Sequence, residues 1–154
     1  MKPALRVVGT AASNDLLAQA PFFAGLSVAR LARVAALGRV ERHAADSQIY
    51  ALGDPADDFY VLAEGMVRFT LGLGKRTTSA GEIIRRGQVF GWAAVVENAR
   101  TRIATAFCLT PCAVIAIDGK RLMALMDADH SVGYAITKQL SVLLTSELTS
   151  FAAG

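Results

Sequence analysis

The chain has 154 residues, a hydrophobic fraction of 53%, a mean hydropathy of +0.40 and a formal net charge of +3 with a pI near 9.1. That length suits one domain with one substantial core, and no apolar run approaches the roughly 20 residues of a membrane-spanning helix. The positive charges are dispersed, which argues against a nucleic-acid-binding patch, and two cysteines are too few for a disulfide framework or, without matching histidines, for a zinc site.

Residues 1–12 read as a loose leader. They carry Pro3 and Gly9 and lack the continuous apolar segment of a secretory signal, so the cytoplasm is the expected location. Ser13 or Asn14 can cap a short helix through Gln19, ended by Pro21, and Phe22 and Phe23 follow as an apolar anchor. Ser27 is the N-cap of a clearer helix, with Leu31, Val34, Ala35 and Leu37 at helical spacing, Arg30 and Arg33 outward and Gly38 as its stop.

From Arg39 the period changes to that of strands. Residues 40–44, 48–52, 59–63, 66–71, 77–84, 103–109 and 112–117 are short runs rich in β-branched and aromatic residues, separated by turn signals such as Gly53, Asp54 and Pro55. About eight strands fit between 39 and 117, and their close, even spacing predicts an antiparallel sandwich or barrel. The helical period returns at Asp118, an N-cap for a helix with Leu122, Met123, Leu125 and Met126 inside. Asp129 or Ser131 starts a last helix carrying Ile136, Leu140, Leu143, Leu144, Leu148 and Phe151 on an apolar face.

Residues 87–106 combine a glycine-punctuated turn, an apolar run and two arginines, Arg100 and Arg102. Fixed backbone N–H groups facing a guanidinium suit a small anion such as phosphate. Other candidates are weaker. His43 and His130 have no ligand-spaced companions and read as surface or capping residues, Asp57 and Asp58 as turn residues, and Cys108 and Cys112 as buried thiols. The basic segment 72–76 reads as a hairpin tip, since it lacks the spacing of a phosphate loop. No nucleophile and base pair stands out, so catalysis is not expected.

The order of elements, with YALGDPADDFYVLAEG at 50–65, RGQVFG at 86–91 and RIATA at 102–106, resembles the cyclic nucleotide-binding domains of the catabolite activator protein and its relatives. The resemblance covers about 16–151 and implies a mainly β fold, a double-stranded β-helix or jelly roll with flanking helices. Residues 13–154 would form the domain, with the barrel at about 39–117 and the C-terminal helices at about 118–151. Gly53, Gly65, Gly87 and Gly91 fit its inter-strand turns. It further implies a phosphate-binding cassette to which Phe90, Gly91, Trp92, Ala93, Arg102, Ile103 and Ala104 belong, with Arg102 pairing with the cyclic phosphate of cyclic AMP or cyclic GMP and no cofactor required.

Two positions depart from the family pattern. Trp92 stands where a glutamate accepts from the ribose 2′-hydroxyl, although indole N–H only donates, and Ile103 stands where a serine or threonine holds the phosphate. At about 0.5–1.5 kcal/mol for a neutral hydrogen bond and about 1.5–3 for one to a charged group, losing both weakens a nucleotide by roughly two decades or more. An alternative register places Arg100 and Thr101 on the arginine-hydroxyl pair. The structural alternatives are a solvated arginine paired with Glu97 and a Trp92 that packs beneath the pocket.

The resemblance also implies a homodimer through the last helix. No helix-turn-helix follows in the sequence, so no DNA-binding element is expected in this chain. The readings that stay open are a sensor of a small anionic ligand, a ligand-free dimerisation or docking module that keeps the fold with a filled pocket, and a regulator whose DNA reader lies outside the sequence.

Overall fold

A computed structural model describes residues 10–73 and 76–153. Helix α1 (Thr10–Gln19) is followed by a 3-10 turn (Pro21–Phe23) and helix α2 (Val28–Ala35). Eight strands follow: β1 (Gly38–His43), β2 (Gln48–Tyr50), β3 (Asp58–Glu64), β4 (Val67–Leu73), β5 (Arg76–Ile84), β6 (Val89–Phe90), β7 (Thr105–Cys108) and β8 (Cys112–Asp118). A second 3-10 helix (Trp92–Val95) lies between β6 and β7, and α3 (Gly119–Ala128) and α4 (His130–Ala153) complete the order.

The strands form two four-stranded antiparallel sheets, ordered β1-β8-β3-β6 and β2-β7-β4-β5. The fold is mainly β with flanking helices, as the sequence predicts. The first sheet is covered on both faces. Phe59 and Val61 of β3 point to the helices and join a cluster with Phe22, Phe23, Ile115, Leu122 and Ile136, while Tyr60 and Leu62 point into the barrel with Phe69, Phe90 and Val114. This two-sided burial explains why β3 and β8 read as continuous apolar runs rather than alternating ones. Each large side chain buried in this way contributes about 1.5–3 kcal/mol.

Several local expectations hold at atomic detail. Ser27 Oγ accepts from Arg30 N at 3.3 Å, and Asp118 Oδ1 accepts from Arg121 N at 2.9 Å. Asp129 rather than Ser131 caps α4, accepting from the N–H groups of Ser131 and Val132. The thiols of Cys108 and Cys112 are both buried.

Others are corrected. The first helix begins at Thr10, inside the stretch read as leader, because Ala11 and Ala12 favour helix strongly; residues 1–9 and the hairpin tip at 74–75 lie outside the described residues. Gly38 does not stop α2 but opens β1, where a Cβ would come within 2.8 Å of Ile115. Leu148 faces outward with 72% exposure, because the helix turns the neighbouring Glu147 inward to Trp92.

His43 and Asp58 are not surface residues. Both are buried beside the fully buried Glu41, since β1 points Arg39, Glu41 and His43 to one side. Arg39 Nη2 donates to Glu41 Oε2 at 3.0 Å and to Asp58 Oδ2 at 2.7 Å, and His43 Nε2 lies 3.2 Å from Glu41 Oε1. A guanidinium between two carboxylates offsets the desolvation that would exclude either acid from the interior.

Candidate functional site: the Arg102 cassette

The site is built where β6 runs out. Gly91 adopts a left-handed conformation with φ 79° and ψ 35°, turning the chain into the 3-10 helix Trp92–Val95. A Cβ at Gly91 would lie 2.9 Å from the Tyr60 ring and 3.2 Å from Arg102 Nη1, so both backbone and space call for glycine. The cassette then packs on α3. Gly119 lets that helix approach the Ala94 carbonyl closely enough that any side chain would collide with it.

The returning segment is fixed by the loop before β3. Gly53 N donates to Arg102 O at 2.9 Å, Arg102 N to Asp54 O at 2.9 Å and Ala56 N to Arg100 O at 3.0 Å, and Pro55 bridges Thr101. These bonds impose strand-like alternation. Thr101 and Ile103 are turned outward, whereas Arg102 and Ala104 are turned in and buried.

Arg102 is only 4% exposed. Its Nη1 donates to the Gly91 carbonyl at 3.0 Å and its Nη2 to the Asp58 carbonyl at 2.6 Å. The guanidinium carbon sits 4.1 Å from the centre of the Tyr50 ring, a cation–π contact. Tyr50, Tyr60 and Phe90 form the aromatic stack behind it, with Tyr60 and Phe90 5.0 Å apart. Burial holds both phenols well above their ordinary pKa, with the Arg102 charge pulling the other way. Among the described residues no carboxylate forms an ion pair with Arg102, and its Nε–H is buried without a partner.

Gly91, Trp92, Ala93, Arg102, Ile103 and Ala104 converge on one small cavity of about 20 Å³. Phe90 lies behind it in the core, while Arg100 and Thr101 are exposed and do not line it. Neither arginine pairs with Glu97 among the described residues. A larger cavity of about 290 Å³ lies between β5, α4 and Phe22, with Ile84, Val89 and Leu143 on its walls and Gln88 and Gln139 among its polar groups. Phe69 and Glu147 line both.

Glu147 is the site residue that sequence reasoning misses. Its Oε2 accepts from the indole Nε1 of Trp92 at 2.5 Å, and burial holds the carboxyl above its ordinary pKa against the opposing effect of that bond. The available signal is its spacing: four residues after Leu143 and seven after Leu140, it occupies the inward face of α4.

The chain thus combines a double-stranded β-roll with a buried arginine behind a glycine turn. The family profile described as the cyclic nucleotide-binding domain matches residues 40–129, and the chain belongs to that family. It is similar to a cyclic nucleotide-binding domain from Methylobacillus flagellatus (TM-score 0.80, 16% identity, 95% of this chain and 83% of that one). It is also similar to the regulatory domain of Toxoplasma gondii PKA solved with cAMP (TM-score 0.74, 24% identity, 86% and 49%). In sequence it is 33% identical over 85 residues to Glutaminase 1 of Bradyrhizobium diazoefficiens, a match covering 55% of this chain and 13% of that protein. No helix among the described residues is long and apolar enough to cross a membrane.

Proposed function

We propose that the chain is a non-catalytic regulatory domain that senses a cyclic nucleotide, cyclic AMP or cyclic GMP, or a related small anion. Arg102 receives the anionic group beside Gly91, Trp92, Ala93, Ile103 and Ala104, and the cavity under α4 receives the less polar part of the ligand. The observation that carries this reading is the buried Arg102 guanidinium. It has an unpartnered Nε–H and, among the described residues, no carboxylate in an ion pair, and a buried cation so placed favours an anionic partner. The relay runs through contacts already in place, because α3 packs on the cassette at Gly119 and α4 reaches it through Glu147.

Titration calorimetry with cyclic AMP and cyclic GMP tests the site. Wild type is expected to bind and Arg102→Ala to lose at least tenfold in affinity, the scale of one charge-assisted hydrogen bond. A folded wild type that gives no heat at millimolar nucleotide overturns the nucleotide claim. The second reading, a ligand-free module, is favoured by one observation: the cavity beside Arg102 is only about 20 Å³. In either case we place a homodimer contact on the outer face of α4, where Tyr134, Val142 and Leu148 are exposed. A concentration-independent monomer mass in sedimentation would remove that contact.

A further inference from the structure

The cavity beside Arg102 is lined by Glu147 of α4 as well as by the barrel. Glu147 crosses from the helix to the cassette, and the bond from the Trp92 indole holds its carboxylate at the cavity wall. A space of about 20 Å³ accommodates about one water molecule. That leaves little room beside the guanidinium for a phosphate group, which carries four oxygens about its phosphorus.

Charge works in the same direction as volume. A half-buried carboxylate a few ångströms from an entering anion repels it much more strongly than it would in water, because the local dielectric is low. Ionised Glu147 in its present place and an anion at Arg102 therefore compete for the same surroundings.

The helix that carries Glu147 is anchored unevenly. Val132, Ile136 and Leu140 are buried, whereas at 141–149 no described residue is fully buried, and the cavity of about 290 Å³ lies beneath this part. Along the outer face Ser141, Thr145 and Thr149 each donate a hydroxyl hydrogen bond to the carbonyl four residues earlier, at 3.2, 2.8 and 2.9 Å. Such bonds compete with the helix ladder and ease bending. A helix end with little buried surface sits at the low end of a protein's local stability.

We propose that Glu147 is an internal gate for the Arg102 pocket: held by Trp92 it closes the pocket, and an anion is admitted only as Glu147 leaves the indole. Ligand occupancy and the docked position of residues 141–149 are then opposing states of one equilibrium. The gate rests on the reading of Arg102 as the anion-binding residue, and it makes α4 the element that reports occupancy. It also gives the Trp92 replacement a role, since the indole N–H is the donor that pins the gate.

Trp92 is the single tryptophan of the chain, so its emission reports directly on the contact. The test compares wild type with Glu147→Ala by Trp92 emission, by hydrogen exchange over 141–149 and by calorimetry with cyclic AMP. Glu147→Gln serves as a second variant that keeps an acceptor for the indole. Without ligand, Glu147→Ala is expected to shift the emission and to speed exchange over 141–149, with Glu147→Gln in between. Its affinity for cyclic AMP should rise by about tenfold, as expected when a closed state holding about nine-tenths of the molecules is removed. Saturating wild type with cyclic AMP should reproduce the emission shift of the unliganded alanine variant.

Equal or weaker binding by a folded Glu147→Ala overturns the gate while leaving Arg102 as the site. If neither protein binds cyclic AMP, the nucleotide reading and the gate that rests on it both fail. Unchanged emission and exchange in Glu147→Ala likewise overturn the gate.

Discussion

Arg102 and Gly91 are joined by a hydrogen bond of 3.0 Å from Nη1 to the glycine carbonyl, at the residue whose left-handed φ of 79° turns β6 into the cassette helix. The cation and the turn therefore define each other. The turn aims its carbonyl at the guanidinium, and the guanidinium satisfies a carbonyl that is buried beneath the cassette.

Gly91→Ala tests this mutual dependence. The added methyl must share space with the Tyr60 ring and Arg102 Nη1, and a left-handed conformation costs a non-glycine residue about 1–2 kcal/mol before any clash. A loss of about 2–4 kcal/mol is expected in urea unfolding, combining that strain with overpacking. Any nucleotide affinity should fall with it, because Arg102 has to move. A variant as stable as wild type would show that the turn has room the structure does not reveal.

The buried cluster on β1 yields a second prediction. Arg39 is the guanidinium between Glu41 and Asp58, two carboxylates with almost no exposure, and its own pKa is raised, first by the hydrogen bond to Asp58, with burial opposing. Arg39→Met keeps an unbranched apolar stem and removes the guanidinium, leaving both acids without that partner. Breaking a buried pair on one side costs about 3–5 kcal/mol. Chemical denaturation should show a loss of that order at neutral pH, and a variant as stable as wild type would show that the two acids do not depend on the guanidinium.

The fold was legible because its signals are local. The strand runs, the turn glycines and the caps at Ser27 and Asp118 depend on neighbours within a few residues, and the inward placement of Arg102 follows from alternation once the segment is a strand. What escaped is what distant segments do to one another. Asp58 reads as a turn residue until Arg39, 19 positions away, is seen to hold it, and His43 reads as exposed until β1 turns it inward with Glu41. Glu147 is 55 residues from Trp92, and nothing in either neighbourhood announces the other. Two-sided burial of the first sheet also hides which face of β3 points to the barrel, since Phe59 and Tyr60 are equally buried.

Asp129 joins α2 to α4, accepting from Arg30 Nε at 2.9 Å and Arg33 Nη1 at 3.2 Å while capping its own helix. Burial opposes its ionisation, but the hydrogen bond from Arg30, the N–H groups of Val132 and Ser131 and the Arg30 charge hold its pKa below the ordinary aspartate value. A depressed carboxyl stabilises the fold above its unfolded pKa of about 3.9, and that contribution disappears as pH falls through the folded value. Asp129→Asn keeps a capping oxygen and loses the charge. Its urea midpoint should lie below that of wild type at about pH 7 and converge with it at about pH 2. A gap that persists in acid would assign the effect to capping rather than to the arginines.

Glu147 should titrate with the opposite sign. Burial, the larger influence, raises its pKa, and the Trp92 hydrogen bond only partly offsets this. The charged or titratable groups on the walls of the two cavities it lines are Arg102, Tyr50 and Glu82, and the phenol stays protonated across the range concerned. A raised carboxyl favours the fold most below its unfolded pKa of about 4.3 and loses that contribution as pH rises through the folded value. Between about pH 4 and pH 7 the melting temperature of wild type should therefore fall relative to that of Glu147→Gln, whose amide does not ionise. The Trp92 emission of wild type should change over the same interval and that of Glu147→Gln should not, because the indole is bonded to the group that titrates. Parallel melting curves for the two proteins across this interval would mean that the carboxylate is better solvated than its place between the two cavities implies.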